Sequence, residues 1–263
     1  DVATFPAQIH DCKAAIRWIR ANAAQYGLDA RRIGVWGSSA GGHLVSLLGT
    51  SHGAPGLEGT VGGNLQYSSN VQAVCDWFGP TNFHTIYDYA STHDPDYPGD
   101  PVAKLLGGPV KDRMGLAWNA SPIAHVNGDE PPFLIHHGTD DKTVPWHQSF
   151  ELDSALNTVG ADVTFTTLQG AGHGGPEFAA QEVWDEVVAF FTRTLRGAVS
   201  VEDVPTAPEL FSIDIHPAPV TSTATVTFAG ASGSEVKYAL VNMAGKRILE
   251  GSSSIGNSIN LNA

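Results

Sequence analysis

The chain has 263 residues, a formal net charge of −13 at pH 7 and a hydrophobic fraction of 42%. That length suits one sizeable α/β domain with a small appendage, and the acidic balance argues against nucleic acid as a partner. No stretch approaches the ~18 consecutive apolar residues of a membrane span. Cys12 and Cys75 lack metal-ligand spacing, so no metal site is expected. Both lie in apolar patterns and read as buried free thiols, with a single disulfide as the alternative in an exported protein. The chain begins at Asp1 rather than at a methionine, so the lack of a signal peptide carries no weight.

Residues 5–26 read as a helix, with Ile9, Cys12, Ile16, Ile19 and Ala23 on one face and Gly27 as its stop. A strand over 33–36 runs into Gly37-Ser38-Ser39-Ala40-Gly41, and a helix follows to about Gly49. Residues 51–70, rich in Gly, Ser and Asn, read as a loop. A second strand covers 71–78 and halts at Gly79-Pro80. Residues 81–129 show no sustained period and read as an excursion of loops and short helices over the active face. A third strand over 132–137, a helix from 144 to about 159, a fourth strand over 161–168 and a final helix over 176–195 complete the pattern. Strands alternating with helices predict a mostly parallel sheet whose functional groups gather at the carboxyl ends of the strands. After a linker the period changes to two. Phe211-Ile213-Ile215, Ala224-Val226-Phe228, Val236-Tyr238-Leu240, Arg247-Ile248-Leu249 and Ile259-Leu261 predict a small antiparallel β-sandwich-like module. The expected domains are 1–198, a linker over 199–210, and 211–263, whose pattern stops at Ala263 before it is complete.

The segment from Gly37 to Gly41 fits G-x-S-x-G between a strand and a helix, the elbow that presents a nucleophilic serine. A Cβ at either flanking glycine is expected to collide with neighbouring backbone. Ser39 would sit at a helix N-terminus, where the amide of Ala40 can face a developing oxyanion. A serine hydroxyl needs a base, and the base needs an orienting carboxylate, in the chain order serine, acid, histidine. His173, in Gly170-Ala171-Gly172-His173-Gly174-Gly175, follows the last strand of the sheet and is the candidate base. His136 and His137 lie in a buried strand and serve the core or its rim; His43, one turn into the elbow helix, reads as structural. Asp140 and Asp141 both follow the third strand. The spacing favours Asp141 as the acid, with Asp140 capping or solvated, and Asp76 and Asp162 lie at positions unsuited to the role. Trp77, Phe78 and Trp146 lie near strand ends, where they would line an acyl or sugar pocket or belong to the core.

Phe5 to Trp18, Gly37 to His43, Val71 to Pro80, Pro131-Pro132-Phe133-Leu134-Ile135, Asp141-x-x-Val144-Pro145 and Gly172-His173-Gly174 carry a resemblance. They resemble the α/β-hydrolase carboxylesterases of the bacterial feruloyl/acetyl-xylan-esterase-like group over about residues 1–196. The resemblance implies a triad of Ser39, Asp141 and His173, and no metal or organic cofactor. In that family the first strands and a His-Gly-Gly-Gly loop that supplies further oxyanion amides precede the helix at 5–26. The chain is therefore expected to be an N-terminally truncated, C-terminal part of the α/β-hydrolase fold, with the elbow strand as a raw sheet edge and little activity when expressed alone. Pro217-Ala218-Pro219-Val220, Ala224-Thr225-Val226 and Asn242 to Lys246 resemble the C-terminal sorting domain of type nine secretion, with Ala218 where that family usually has asparagine. This implies the secretion machinery as a partner and a secreted or cell-surface bacterial protein; a small accessory β domain is the alternative.

The sequence thus points to a serine carboxylesterase acting through an acyl-enzyme on a small-molecule or polysaccharide-linked ester, acetyl or feruloyl by resemblance. A serine peptidase of the prolyl-oligopeptidase type and a non-catalytic surface-binding protein are the two rivals.

Overall fold

The computed structural model describes residues 3–86, 88–89 and 91–196, together with five later strands over 212–216, 223–229, 235–241, 247–254 and 258–262. The chain divides into two compact units, residues 1–198 and 199–263.

The first unit is built on four parallel strands in the order of the chain: β1 (Gly34–Ser38), β2 (Ala73–Trp77), β3 (Phe133–Gly138) and β4 (Val163–Leu168). Alternation along the strands sorts side chains to two faces. On one face Val74, Phe133 and Ile135 meet Leu47 and Leu48 of α2 (Ala40–Thr50), Leu152 and Leu156 of α5 (His147–Val159), and Ile9 and Ile16 of α1 (Ala7–Tyr26). On the other face Ala73, Cys75 and Leu134 meet Val187 and Phe190 of α6 (Gln181–Arg196). Val183, Val187 and Phe190 of α6 are all buried, at four- and three-residue steps, while Val188 between them is exposed. Between β2 and β3 lie α3 (Pro101–Leu106), α4 (Met114–Ala120) and two short 3₁₀ turns. Both cysteines are free thiols, Cys75 buried and Cys12 half-buried. Among the described residues no helix is long and apolar enough to cross a membrane.

Among the differences from the sequence reading, two helix starts and one helix face each have a local reason. The helix expected from 144 begins at His147, because the amides of Thr143 and Val144 are taken by the Asp141 carboxylate at 2.8 and 2.9 Å. The helix expected over 176–195 is broken: Pro176–Ala179 forms a 3₁₀ turn, Ala180 is extended (φ −62°, ψ 142°), and α6 starts at Gln181. The turn seats Phe178 against Phe78 and Ala171 instead of on the face of α6. The first helix face is also more polar than its apolar period suggests. Lys13 and Arg17, four residues apart, are buried on it, and their head groups run into the 51–70 loop. Lys13 donates to the carbonyl of Ser51 at 2.8 Å, and Arg17 to those of Val61 at 2.9 Å and Glu58 at 3.2 Å and to the Glu58 carboxylate.

In the second unit β6 (Thr223–Ala229) pairs antiparallel with β5 (Ser212–His216) and β9 (Ser258–Asn262). A separate antiparallel pair joins β7 (Glu235–Val241) and β8 (Arg247–Ser254). The linker expected over 199–210, the Pro217 to Val220 motif and Asn242 to Lys246 lie outside the described residues.

Two positions make the packing of α2 on the sheet testable. Ala normally outranks Gly in a helix interior by ~1 kcal/mol. A Cβ on Gly49, however, would lie 2.6 Å from Val74 Cγ2 and 2.7 Å from Phe133 Cζ. Gly49→Ala is therefore expected to lower stability, by on the order of 1 kcal/mol or more, as a shift of the urea midpoint at constant slope. Asp76 is fully buried under α2, accepting from Ser46 Oγ and from the Gly79 amide, each at 2.9 Å. Burial raises its carboxyl to about 6, against the opposing pull of those two donors and of His137. A carboxyl raised by folding contributes fully below its unfolded value of about 3.9 and loses that contribution as pH climbs through about 6, here roughly 3 kcal/mol. In Asp76→Asn the amide oxygen still accepts from Gly79 and the amide nitrogen donates to Ser46. Unfolding midpoints measured between pH 4 and 7 should decline less steeply in that variant than in the parent.

Candidate active site

The elbow is a strained turn. β1 ends at Ser38, Ser39 takes φ 55° and ψ −121°, and α2 starts at Ala40. Positive φ in a residue with a Cβ costs about 1–3 kcal/mol and persists only where the surroundings enforce it. A Cβ on Gly37 would strike the carbonyl of Gly41, so that glycine is required. Gly41 itself faces open space, so the collision expected at both flanking positions occurs at only one of them. The second close approach is one residue later. A Cβ on Gly42 would lie 2.9 Å from Gly79 Cα and would strike the Asp76 carboxylate, so the α2 backbone passes directly over the turn after β2.

Three side chains from three strand ends meet above this turn. His173 Nε2 lies 2.8 Å from Ser39 Oγ, and His173 Nδ1 lies 2.7 Å from Asp141 Oδ2. A carboxylate only accepts, so Nδ1 carries the proton and Nε2 is left to accept from the serine hydroxyl. The imidazole is partly exposed, while the Asp141 side chain is wholly buried. Burial by itself would raise the Asp141 carboxyl. Hydrogen bonds from His137, His173 and the Val144 amide outweigh it and hold the group well below the usual carboxylate range. Asp141 therefore stays ionised wherever His173 can act as a base.

His173 is steadied from one side by the ring of Phe78, 4.7 Å away and edge-on, which itself packs on Phe178 at 4.7 Å. Ala40 opens α2, so its N–H is among the first-turn amides that have no acceptor within the helix. Ser39, Ala40 and Val144 open onto a cavity of about 410 Å³ whose wall is largely apolar, with Leu44, Pro80, Phe83, Ile86 and Leu105 among its residues.

The remaining candidates sort cleanly. Asp140 is exposed. His43 is buried, its Nε2 is 2.7 Å from the Ala120 carbonyl, and burial lowers its pKa to about 4. His136 accepts from Trp77 Nε1 at 3.0 Å and donates to Glu186 at 2.8 Å, on the face of the sheet that meets α6. His137 Nε2 lies 2.9 Å from the Val144 carbonyl and 3.3 Å from Asp141 Oδ2, while its Nδ1 accepts from Ser149 Oγ at 2.7 Å. Nothing in the sequence pattern indicates that His137, a residue of the buried strand, touches the acid. Trp77, Phe78 and Trp146 do not line the cavity. Trp77 packs on Trp36, Trp184 and Phe178, and Trp146 on His147 and Phe150. Among the described residues no group of three or more His, Cys, Asp or Glu side chains is placed to hold a metal ion.

The esterase LipQ of Mycobacterium tuberculosis is 35% identical over 173 residues, which is 65% of this chain and 39% of that protein. The chain spans well under half the length of the curated relatives it matches. A truncated form of a carbohydrate esterase from gut microbiota superposes with a TM-score of 0.68 at 36% identity, covering 74% of this chain and 70% of that one. A bifunctional GH43-CE protein of Bacteroides eggerthii superposes with a TM-score of 0.67 at 38% identity, over 73% of this chain and 27% of that one. The BD-FAE family model matches residues 1–156, through β1, the elbow, the cavity wall and Asp141, and the chain belongs to that family.

Proposed function

We propose that this chain carries the catalytic centre of a serine carboxylesterase that hydrolyses acetyl or feruloyl esters of plant polysaccharide. The observation that carries the reading is the unbroken hydrogen-bonded line from Ser39 Oγ through His173 to the buried Asp141, opening onto an apolar cavity. In the first step His173 Nε2 takes the Ser39 proton while Oγ attacks the ester carbonyl, and the carbonyl oxygen becomes an oxyanion facing the Ala40 N–H. Collapse of the tetrahedral centre breaks the bond to the alcohol oxygen, which takes the proton back from His173. The acyl group is left on Ser39. Water then repeats the sequence, releasing the carboxylic acid and restoring the serine. Asp141 holds the imidazole in the required tautomer and stabilises its charged form without itself taking the proton. The esterase names of the mycobacterial relatives support the reaction class, and the words carbohydrate esterase, used of a similar structure, support the polysaccharide part.

A fluorophosphonate probe reads the nucleophile without requiring turnover. Labelling is expected in the parent chain, absent in Ser39→Ala, and slowed on the order of 10⁴-fold in Asp141→Asn, where the imidazole is held in the wrong tautomer. Failure of the parent to label would favour a binding protein built on the same fold.

Residues 211–263 are proposed as an export signal read by a secretion apparatus, on the strength of their antiparallel strands and the motifs noted above. A reporter fused to this segment should reach the medium or cell surface of a host with type nine secretion, and retention of the fusion inside the cell would refute the assignment.

A further inference from the structure

The cavity beside Ser39 contains a second Asp–His pair that takes no part in the steps above. His93 Nδ1 lies 3.0 Å from Asp100 Oδ2, and the Asp100 side chain is 2% exposed. Asp100 is fixed from the other side, because its Oδ1 accepts from the Val102 amide at 2.8 Å as the N-cap of α3. Since the carboxylate can only accept, a proton sits on His93 Nδ1, which in the neutral imidazole leaves Nε2 as an acceptor with no protein partner among the described residues. The segment bearing His93 is tied to the loop bearing Asp141. The amide of Thr92 donates to the Lys142 carbonyl at 2.6 Å, and Ser91 Oγ to that of Thr143 at 2.9 Å, while Ser91 Oγ also accepts from the His93 amide at 3.1 Å. His93 therefore holds a fixed place relative to the triad.

A second acceptor lines the same cavity. Gln8 Nε2 donates to the Ala3 carbonyl at 2.8 Å, which leaves Gln8 Oε1 buried and without a protein donor among the described residues. Two acceptors in a largely apolar wall suit a ligand that brings hydroxyl donors, and they penalise one that leaves them dry. Resting on the esterase reading, we propose that His93, oriented by Asp100, is a specificity-determining residue whose Nε2 accepts a hydrogen bond from a free hydroxyl of the substrate. The cavity thereby selects esters of polyhydroxylated alcohols, sugars above all, over plain alkyl esters of similar size.

Binding tests this without chemistry. In the Ser39→Ala chain, ligand-observed titrations compare a monoacetylated methyl xyloside with cyclohexyl acetate, which has a six-membered ring and no hydroxyls. Adding His93→Ala is expected to weaken the xyloside ester by at least ~10-fold while cyclohexyl acetate changes by less than ~2-fold. His93→Gln, which keeps an acceptor oxygen, should recover part of the loss. Equal weakening of both ligands would mean that His93 only packs the cavity, and unchanged xyloside binding would mean that it makes no contact; either result overturns the proposal. Fluorophosphonate labelling of the chain with His93 intact reads Ser39 separately from these titrations. Failure of the parent to label counts against the esterase reading alone, because the titrations judge His93 in a chain that has no nucleophile.

Discussion

The site depends on a backbone conformation that Ser39 would not hold by itself. At φ 55° and ψ −121° the residue relaxes unless the strand before it and the helix after it are both fixed. The sheet fixes the strand through its parallel pairing with β2, and Ser39 contributes by donating its own amide to the Trp77 carbonyl at 2.9 Å. Three glycines fix the helix. Gly42 and Gly79 let two backbones pass within a methyl's width, and Gly49 lets α2 settle onto Val74 and Phe133. The nucleophile is thus presented by steric exclusion at some distance from it. Its own side chain enforces nothing.

Asp141 does for the downstream half what the glycines do for the elbow. One carboxylate ends the turn after β3, delays the start of α5, orients His173 and touches His137. Burying an anion is costly unless it is paired and hydrogen-bonded, and this group receives two amides and two imidazoles. The same bonds that make the burial tolerable make the residue a poor proton acceptor. That is what the role requires, because an acid that took the proton from His173 would release the imidazole from its tautomer.

Much of this was legible in the residues, and the exceptions have physical causes. The alternation of apolar runs marked all four strands of the sheet, and the order of Ser39, Asp141 and His173 along the chain pointed to a set that the structure does bring within hydrogen-bond distance. Pattern says which residues face inward but little about what polar groups do once inside. Lys13 and Arg17 share a buried helix face with Ile9 and Ile16, and no period distinguishes a buried cation from a solvated one. The break at Ala180 escaped for a related reason. Phe178 fits the apolar period of α6 but packs on Phe78 instead, a tertiary preference that overrides the local one. His93 and Asp100 fall in a stretch without period, and their pairing becomes visible only when the excursion over 81–129 is seen pinned to the loop at 142–143.

The buried cations of α1 have a further consequence. The glycine-rich stretch from Ser51 to Asn70 has the composition of a floppy connector, yet its carbonyls at Ser51, Glu58, Val61 and Gly63 are capped by Lys13 and Arg17. Arg20 does the same for Ser68 and for Asn70. These contacts join residues 38 to 50 positions apart. Packing this helix face without the loop would bury two cations without acceptors, and without the cations the loop carbonyls would lose their donors. Helix and loop therefore depend on each other for their polar pairing. A stretch that looks like spare length in the sequence is among the least expendable parts of the domain.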